Sequence, residues 1–530
     1  MAAAWRCSRC APAARKRRTT SRGRACVMLV VTTALVVQTG WPRRLLATDP
    51  TPEPPRQGSL GAPGGAAAAD FEALMDLIES TIAPQSWDSV GGTGAMKPLP
   101  GGVYVDAEGV LRRVAAAATA RESLEVIRVA NQDPEGRATD VRRQSALRKI
   151  SLPRLERRFQ LRRAAGQLPD DEMLRLAGLR RIQYVLIYPD SGDLVLAGPA
   201  GAWTIGDDGR AIDATSGRPV MRLADLLVIW RHIRDSGAEP FGCAITPRRE
   251  ALAAARRFVE QSAGTPLAVG KRPSWLDDLR RTLGRQDIEV FGIDPRTHVA
   301  RILVEADYRM KLVGLGIEPC TLGMSSYLDL AAARESDAAP LDVLRWWFTL
   351  DESPLVACED RNAFELRGST VCVRAENELL ASDGRRVHTS RADPTNQEFA
   401  HNFTHHFEAL AEKYPIYAEL QQCFQLALVA ALVQREHLAE RVGWPMTYFA
   451  DAKQIPVPLG AAPRSVETVM NHRTVDRKHF VAAVSGGVRV DPRVLFNGAR
   501  VLAVDATGDI ERQWQYAQPN GRDDDTWWWD

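Results

Sequence analysis

The chain contains no catalytic signature. The closest approach to a nucleophile elbow, Ala483-Val484-Ser485-Gly486-Gly487, has alanine where the first glycine belongs. The closest approach to a zinc-protease helix, His401-Asn402-Phe403-Thr404-His405, has asparagine where the glutamate after the first histidine belongs. An apolar run long enough to cross a bilayer is also missing. Ala25–Val37 is shorter than the roughly 20 residues a spanning helix needs. The apolar stretch from Ile416 to Arg441 is interrupted by Gln and Glu and reads as a central buried helix. A strong charge of one sign is absent too: the formal net charge is +2. Eight Arg and Lys fall within the first 24 residues, so the remainder carries about −6, which disfavours a globally basic nucleic-acid binder.

What is present begins with export. Arg15-Lys16-Arg17-Arg18, Arg22 and Arg24 precede the apolar run, the order of a secretory signal. Residues 1–47 are therefore expected to be a signal peptide, or a signal anchor if uncleaved, and the protein to be extracytoplasmic, periplasmic or secreted. Membrane contact is expected only through that segment. Residues 48–100 form a Pro/Gly/Ala-rich tether with a short helix over Asp70–Ile82. Cys7, Cys10 and Cys26 belong to the exported leader. Cys243, Cys320, Cys358, Cys372 and Cys423 remain, an odd number, so at least one is free or intermolecular, and their apolar surroundings suggest buried inert thiols.

The fold class expected is α+β: a mixed α/β layer with a β-hairpin over 101–340, then a β-meander packed with long helices over 341–501. A disordered Trp-rich tail over 502–530 completes the chain. The stretch Asp287–Pro319 reads as a strand, a Pro turn and a helix whose Val299, Ile302, Leu303, Ala306, Met310 and Val313 share one face. Turn chemistry at Pro189-Asp190-Ser191-Gly192 joins a hairpin. Arg345-Trp346-Trp347-Phe348, Leu355–Cys358, Ala363–Leu366 and Val371–Arg374 read as the meander, with Trp346 and Trp347 on opposite faces. Gly101-Gly102-Val103-Tyr104-Val105-Asp106 returns as Gly486-Gly487-Val488-Arg489-Val490-Asp491, and the repeat suggests two equivalent edge strands where the ends of the core meet.

Three constellations could carry chemistry. His401, His405 and Glu408 would share one helical face and could hold zinc, with a plain solvated face as the alternative. Ser485 with His472, His479 and Asp476 invites a hydrolase reading, although such a set arises easily by chance. Ten Arg and Lys between Arg137 and Arg163 could bind an anionic envelope ligand through Arg142, Arg143, Arg148 and Lys149, or be solvated with snorkelling stems. The charges Asp307, Arg309 and Lys311, and the pair Glu376 and Glu378, read as helix and loop surface. Trp527-Trp528-Trp529 reads as a docking peptide or as part of the disordered end.

Several blocks together resemble domain-of-unknown-function family 1598, a set of uncharacterised exported proteins associated with planctomycete bacteria. They are Leu147-Arg148-Lys149-Ile150-Ser151-Leu152, Asp171-Glu172-Met173 with Ala177-Gly178-Leu179, and Tyr188-Pro189-Asp190 with Leu196-Ala197-Gly198-Pro199. Val304-Glu305-Ala306-Asp307-Tyr308-Arg309-Met310-Lys311, Arg345-Trp346-Trp347-Phe348, Asn471-His472-Arg473 and Val484-Ser485-Gly486-Gly487-Val488 complete the set. The resemblance spans roughly Gly101 to Asp491 and implies no activity, cofactor or catalytic residue. The function expected is an exported structural or interaction protein of the cell envelope with a protein or envelope partner. The alternatives are a hydrolase, metal-dependent through zinc, and a binder of an anionic envelope ligand.

Overall fold

The computed structural model describes residues 95–99, 102–106, 140–262, 272–334, 343–351, 355–475, 478–495, 502–519 and 525–530. The signal, most of the tether and its helix lie outside the described residues. The chain divides into two compact units, of which Val36–Asp140 contributes a described hairpin, Ala95–Leu99 paired antiparallel with Gly102–Asp106. All that follows concerns the unit Val141–Asp530.

That unit is α+β, with two mixed sheets enclosing a layer of helices. The seven-stranded sheet runs in space Ala503–Val504, Leu355–Ala357, Ala363–Leu366, Tyr184–Tyr188, Asp193–Ala200, Ser145–Ser151, Trp528–Trp529. The eight-stranded sheet runs Arg386–Val387, Val371–Leu380, Val343–Leu350, Lys478–Val490, Phe241–Pro247, Arg285–Phe291, Ser465–Glu467, with Met470–Val475 paired on Lys478–Val490. One core joins Ile150, Val185 and Leu196 of the first sheet to Trp346, Phe348 and Val484 of the second through helices. Pro415–Arg435 is central to it. Among the described residues it alone is long and apolar enough to cross a membrane, and the apolar stretch that makes it so is entirely buried. Its buried glutamines are satisfied: Gln425 accepts from the Ile182 N–H, and Gln422 donates to the carbonyls of Arg180 and Pro219.

The strand–turn–helix forms as expected. Arg285–Phe291 is a strand, Thr297 caps the helix His298–Gly314 by accepting from the Ala300 N–H, and all six face residues are buried. The hairpin around Pro189–Gly192 forms as well. The four strands of the expected meander exist, but they divide between the sheets. Val343–Leu350 pairs with Val371–Leu380, while the intervening hairpin Leu355–Ala357/Ala363–Leu366 adds to Tyr184–Tyr188 of the other sheet. Alternation identifies strands, but it says nothing about which sheet they join.

Two further expectations are corrected. The second glycine-led copy is no edge: Lys478–Val490 lies between Val343–Leu350, parallel, and Phe241–Pro247, antiparallel. The tail is not a disordered end over its described part. Asp509–Tyr516 is a helix, and its Ile510 and Trp514, with Ala517 after it, cover the outer face of the seven-stranded sheet together with Trp529. Trp528 pairs opposite Ile150 and Trp529 opposite Lys149, and all three tryptophans are buried. Burial of three indoles outweighs the ordering entropy that the polar residues before them would otherwise win.

Candidate functional site

Two groups of buried charges lie on the two faces of the eight-stranded sheet, around Lys478–Val490. On the helix side, Asp307 and Lys311 stand one turn apart on His298–Gly314, Oδ2 to Nζ 2.9 Å, and both are 0% exposed. They are a buried ion pair, not the surface pair expected from sequence. Lys311 also reaches the Ile245 carbonyl and Gln286 Oε1, each at 3.4 Å, and Gln286 donates to the Val484 carbonyl. Burial raises the Asp307 pKa and lowers that of Lys311, each opposed by the other's charge.

The glycine pair makes room for this arrangement. A Cβ on Gly486 would lie 2.6 Å from Asp307 Oδ1 and would collide with the Trp346 carbonyl. A Cβ on Gly487 would collide with the Cys243 carbonyl on the neighbouring strand. Neither glycine has a positive φ. Space, not backbone freedom, requires them.

The opposite face carries a second cluster. Glu376 and Glu378 alternate along Val371–Leu380, so both point outward from the core, yet they are 4% and 1% exposed. Arg345 Nη1 lies 3.1 Å from Glu376 Oε2, and the Ser390 N–H donates to Glu376 Oε1 at 2.7 Å. Arg386 Nη1 lies 2.9 Å from Glu378 Oε2 and donates to Ser485 Oγ at 3.0 Å. His388 Nδ1 sits 3.2 Å from Glu376 Oε2 and 3.0 Å from Glu378 Oε1. Burial alone would raise the Glu376 pKa, but the Ser390 N–H, Arg345 and His388 outweigh it and hold the carboxyl below its ordinary range. Arg345 lies over the Trp347 ring at 4.6 Å, while Trp346 is buried on the core side. The two faces feel one another: Arg345 acts on Asp307 and Arg386 on Lys311 through the sheet.

The expected zinc triad is not assembled. The helix Pro394–His405 ends at His405, and a new helix opens at Phe407, so the one-turn spacing to Glu408 is broken. Glu408 pairs instead with Arg218 and Gln421, and His401 and His405 are exposed. Among the described residues, Glu376, Glu378 and His388 are the one group whose ligand atoms converge. Ser485 is buried and donates to the Leu344 carbonyl. Asp476 and the side chains of His472 and His479 lie outside the described residues.

The expected basic face is also not presented. Arg148 is fully buried, paired with Asp530 at 2.9 Å, stacked on Trp528 and bonded to the carbonyls of Val141 and Ala177. Lys149 is buried over the Tyr516 ring, and Arg142 lies over Trp203 and donates to its carbonyl. Arg143 alone of the four is exposed. Arg148 and Lys149 turn inward because the tail supplies an anion, Asp530, and the aromatic faces of Trp528 and Tyr516, which local sequence could not reveal, while Arg142 finds its ring at Trp203. All five described cysteines are free thiols. Cys243, Cys358, Cys372 and Cys423 are buried, and burial raises the Cys243 and Cys423 thiols.

A surface loop completes the description. After His298–Gly314 the chain turns through Gly316, φ 67°, and Ile317 is left half exposed and Leu322 97% exposed. The loop is fastened between them. Lys413 donates to the carbonyls of Pro319 and Cys320 at 3.0 and 2.8 Å, and Tyr414 Oη donates to Pro319 at 2.8 Å.

The stretch from Cys243 through Tyr327 therefore holds Gln286, Asp307, Lys311 and the fastened loop. It matches the model of a protein family of unknown function, DUF1598. Residues 243–327 resemble that family. The match is narrower than the sequence blocks suggested, and it centres on the strand, turn and helix that carry the buried pair. No curated protein and no solved structure matches the chain.

Proposed function

We propose that the chain is an exported interaction protein of the cell envelope, binding a protein or envelope partner through the loop Gly316–Gly323. The observation that carries this reading is the fastened loop. Two large apolar side chains, Ile317 and Leu322, are held in water by a backbone whose carbonyls are tied to Lys413 and Tyr414. A single exposed leucine is ordinary. A pair on a tied backbone is pre-organised, so little further side-chain and loop ordering opposes docking. Export is supported by the basic and apolar order of the first 37 residues.

A photo-crosslinking residue placed at Leu322 in the full chain, expressed with its native envelope, tests the reading. A discrete adduct that disappears in Ile317→Asp is expected, with a control crosslinker at Leu168, itself 84% exposed, giving none. Equal labelling at both positions, or no adduct at 322, would refute it.

A further inference from the structure

The cluster on the outward face of the eight-stranded sheet has a geometry that ion pairing alone does not explain. Glu376 and Glu378 project from one strand at alternate positions, and the hairpin that follows pairs Val387 with Leu379 and Arg386 with Leu380. That return folds His388 back over both carboxylates. Its Nδ1 lies 3.2 Å from Glu376 Oε2 and 3.0 Å from Glu378 Oε1, and the three ligand atoms all fall within 4.8 Å of one another.

Glu378 Oε1 is the decisive atom. It is buried and has no hydrogen-bond partner, although His388 Nδ1 is 3.0 Å away. A buried carboxylate oxygen without a donor is costly and calls for a counter-charge. The other carboxylate oxygens have donors of their own: Arg386 on Glu378 Oε2, the Ser390 N–H on Glu376 Oε1 and Arg345 on Glu376 Oε2. The bonds to Glu378 Oε2 and Glu376 Oε1 are the outer arrangement that orients ligating carboxylates, whereas Arg345 donates to Glu376 Oε2 itself, with its Nη1 3.4 Å from His388 Nδ1.

We infer that Glu376 Oε2, Glu378 Oε1 and His388 Nδ1 form a site for one divalent transition-metal ion, with zinc or manganese the class it fits. Bonds of about 2.1 Å place neighbouring donors about 3.0 Å apart at the right angles of an octahedral ion and about 3.4 Å apart at the tetrahedral angles of zinc, a range that contains the 3.2 and 3.0 Å spacings of Nδ1 from the two oxygens. One imidazole and two carboxylates suit zinc and manganese, and thiolate-seeking ions are not served. His388 is 60% exposed, so water reaches the remaining coordination positions. The guanidiniums of Arg345 and Arg386 offset the two carboxylate charges, so binding is weaker than at a bare carboxylate pair of the same geometry. The inference does not depend on the proposed interaction role.

The test is calorimetric titration of the full, tag-free, chelator-stripped chain with zinc chloride and, separately, manganese chloride. One ion per chain is expected for at least one metal. His388→Ala, at an exposed position, is expected to lose at least about tenfold in affinity while keeping the wild-type melting temperature. Glu378→Gln is expected to lose a similar factor, read only if it folds. Failure of both metals to bind the wild type, or undiminished binding by His388→Ala, would overturn the inference.

Discussion

Removing the charge of Lys311 is the most informative single perturbation of this fold. In Lys311→Met the side-chain volume is nearly conserved, so the change isolates electrostatics. Asp307 would remain fully buried beneath Gly486 with no cation within reach on its own helix. Leaving one member of a buried pair uncompensated costs about 3–5 kcal/mol. The compact unit is Val141–Asp530, roughly 390 residues, and at about 2.1 cal/mol/K per residue its unfolding entropy is near 0.8 kcal/mol/K. The melting temperature should therefore fall by about 4–6 °C. The loss also depends on pH, and its sign is fixed. Burial already raises the Asp307 pKa, and without Lys311 nothing on that helix opposes the rise. A carboxyl whose folded pKa exceeds its unfolded value favours folding below the unfolded value and loses that contribution as pH rises through the folded one. Lys311→Met should thus be closest to wild type near pH 4 and progressively worse toward neutrality, by up to about 1.4 kcal/mol per pH unit. The double variant Asp307→Leu/Lys311→Met removes both charges and should recover most of the loss. Scanning calorimetry at pH 5 and pH 8 on the three proteins checks this. A single variant within 1 °C of wild type at pH 8, or a double variant worse than the single one, would refute the reasoning.

Three other outcomes are expected. Gly486→Ala forces a methyl group to 2.6 Å from Asp307 Oδ1 and against backbone of Val343–Leu350, and should cost at least about 1–3 kcal/mol in denaturant titrations. Trp529→Ala removes an indole that is 1% exposed and should cost about 3–5 kcal/mol, with hydrogen-exchange protection falling first at Ser145–Ser151; unchanged protection there would count against the tail as a structural strand. The Asp505 carboxyl accepts from the N–H groups of Ile510 and Thr507 and from the Thr507 hydroxyl, which bring its pKa down to about 2. Its support for the start of Asp509–Tyr516 is present above the unfolded value and lost as pH falls toward 2, and a carboxyl NMR titration near the ordinary aspartate value would contradict this.

Local pattern revealed more of the secondary structure than of the site. Val299, Ile302 and Met310 repeat at helical spacing, so their burial followed from period alone, and alternation across a strand placed only one of Trp346 and Trp347, in the event Trp346, in the core. Asp307 and Lys311 carry the same i, i+4 spacing as a surface pair. Only the two glycines on a strand some 175 positions later remove the side chains that would hold the helix away, and that is tertiary information. Glu376-x-Glu378 could have been flagged by alternation on a strand, since two carboxylates on one face seek a shared counter-charge. His388 reaches them only through the hairpin return, Arg345 through antiparallel pairing across from Glu376, and Ser485 through the parallel pairing beyond it. Arg148 looked like one more exposed cation because its partner, Asp530, is separated from it by most of the chain.

That last separation sets the order in which the molecule can be completed. Ser145–Ser151 finds its outer neighbour at Trp528–Trp529, and Val343–Leu350 finds its parallel partner at Lys478–Val490. Closing loops of that length delays pairing until the distant segment has been delivered, and non-local strands are the slow step of such folds. Neither sheet has all of its described strands paired until those distant segments fold onto it. Each sheet is closed by a strand distant in sequence, so its full pairing is a late event in folding.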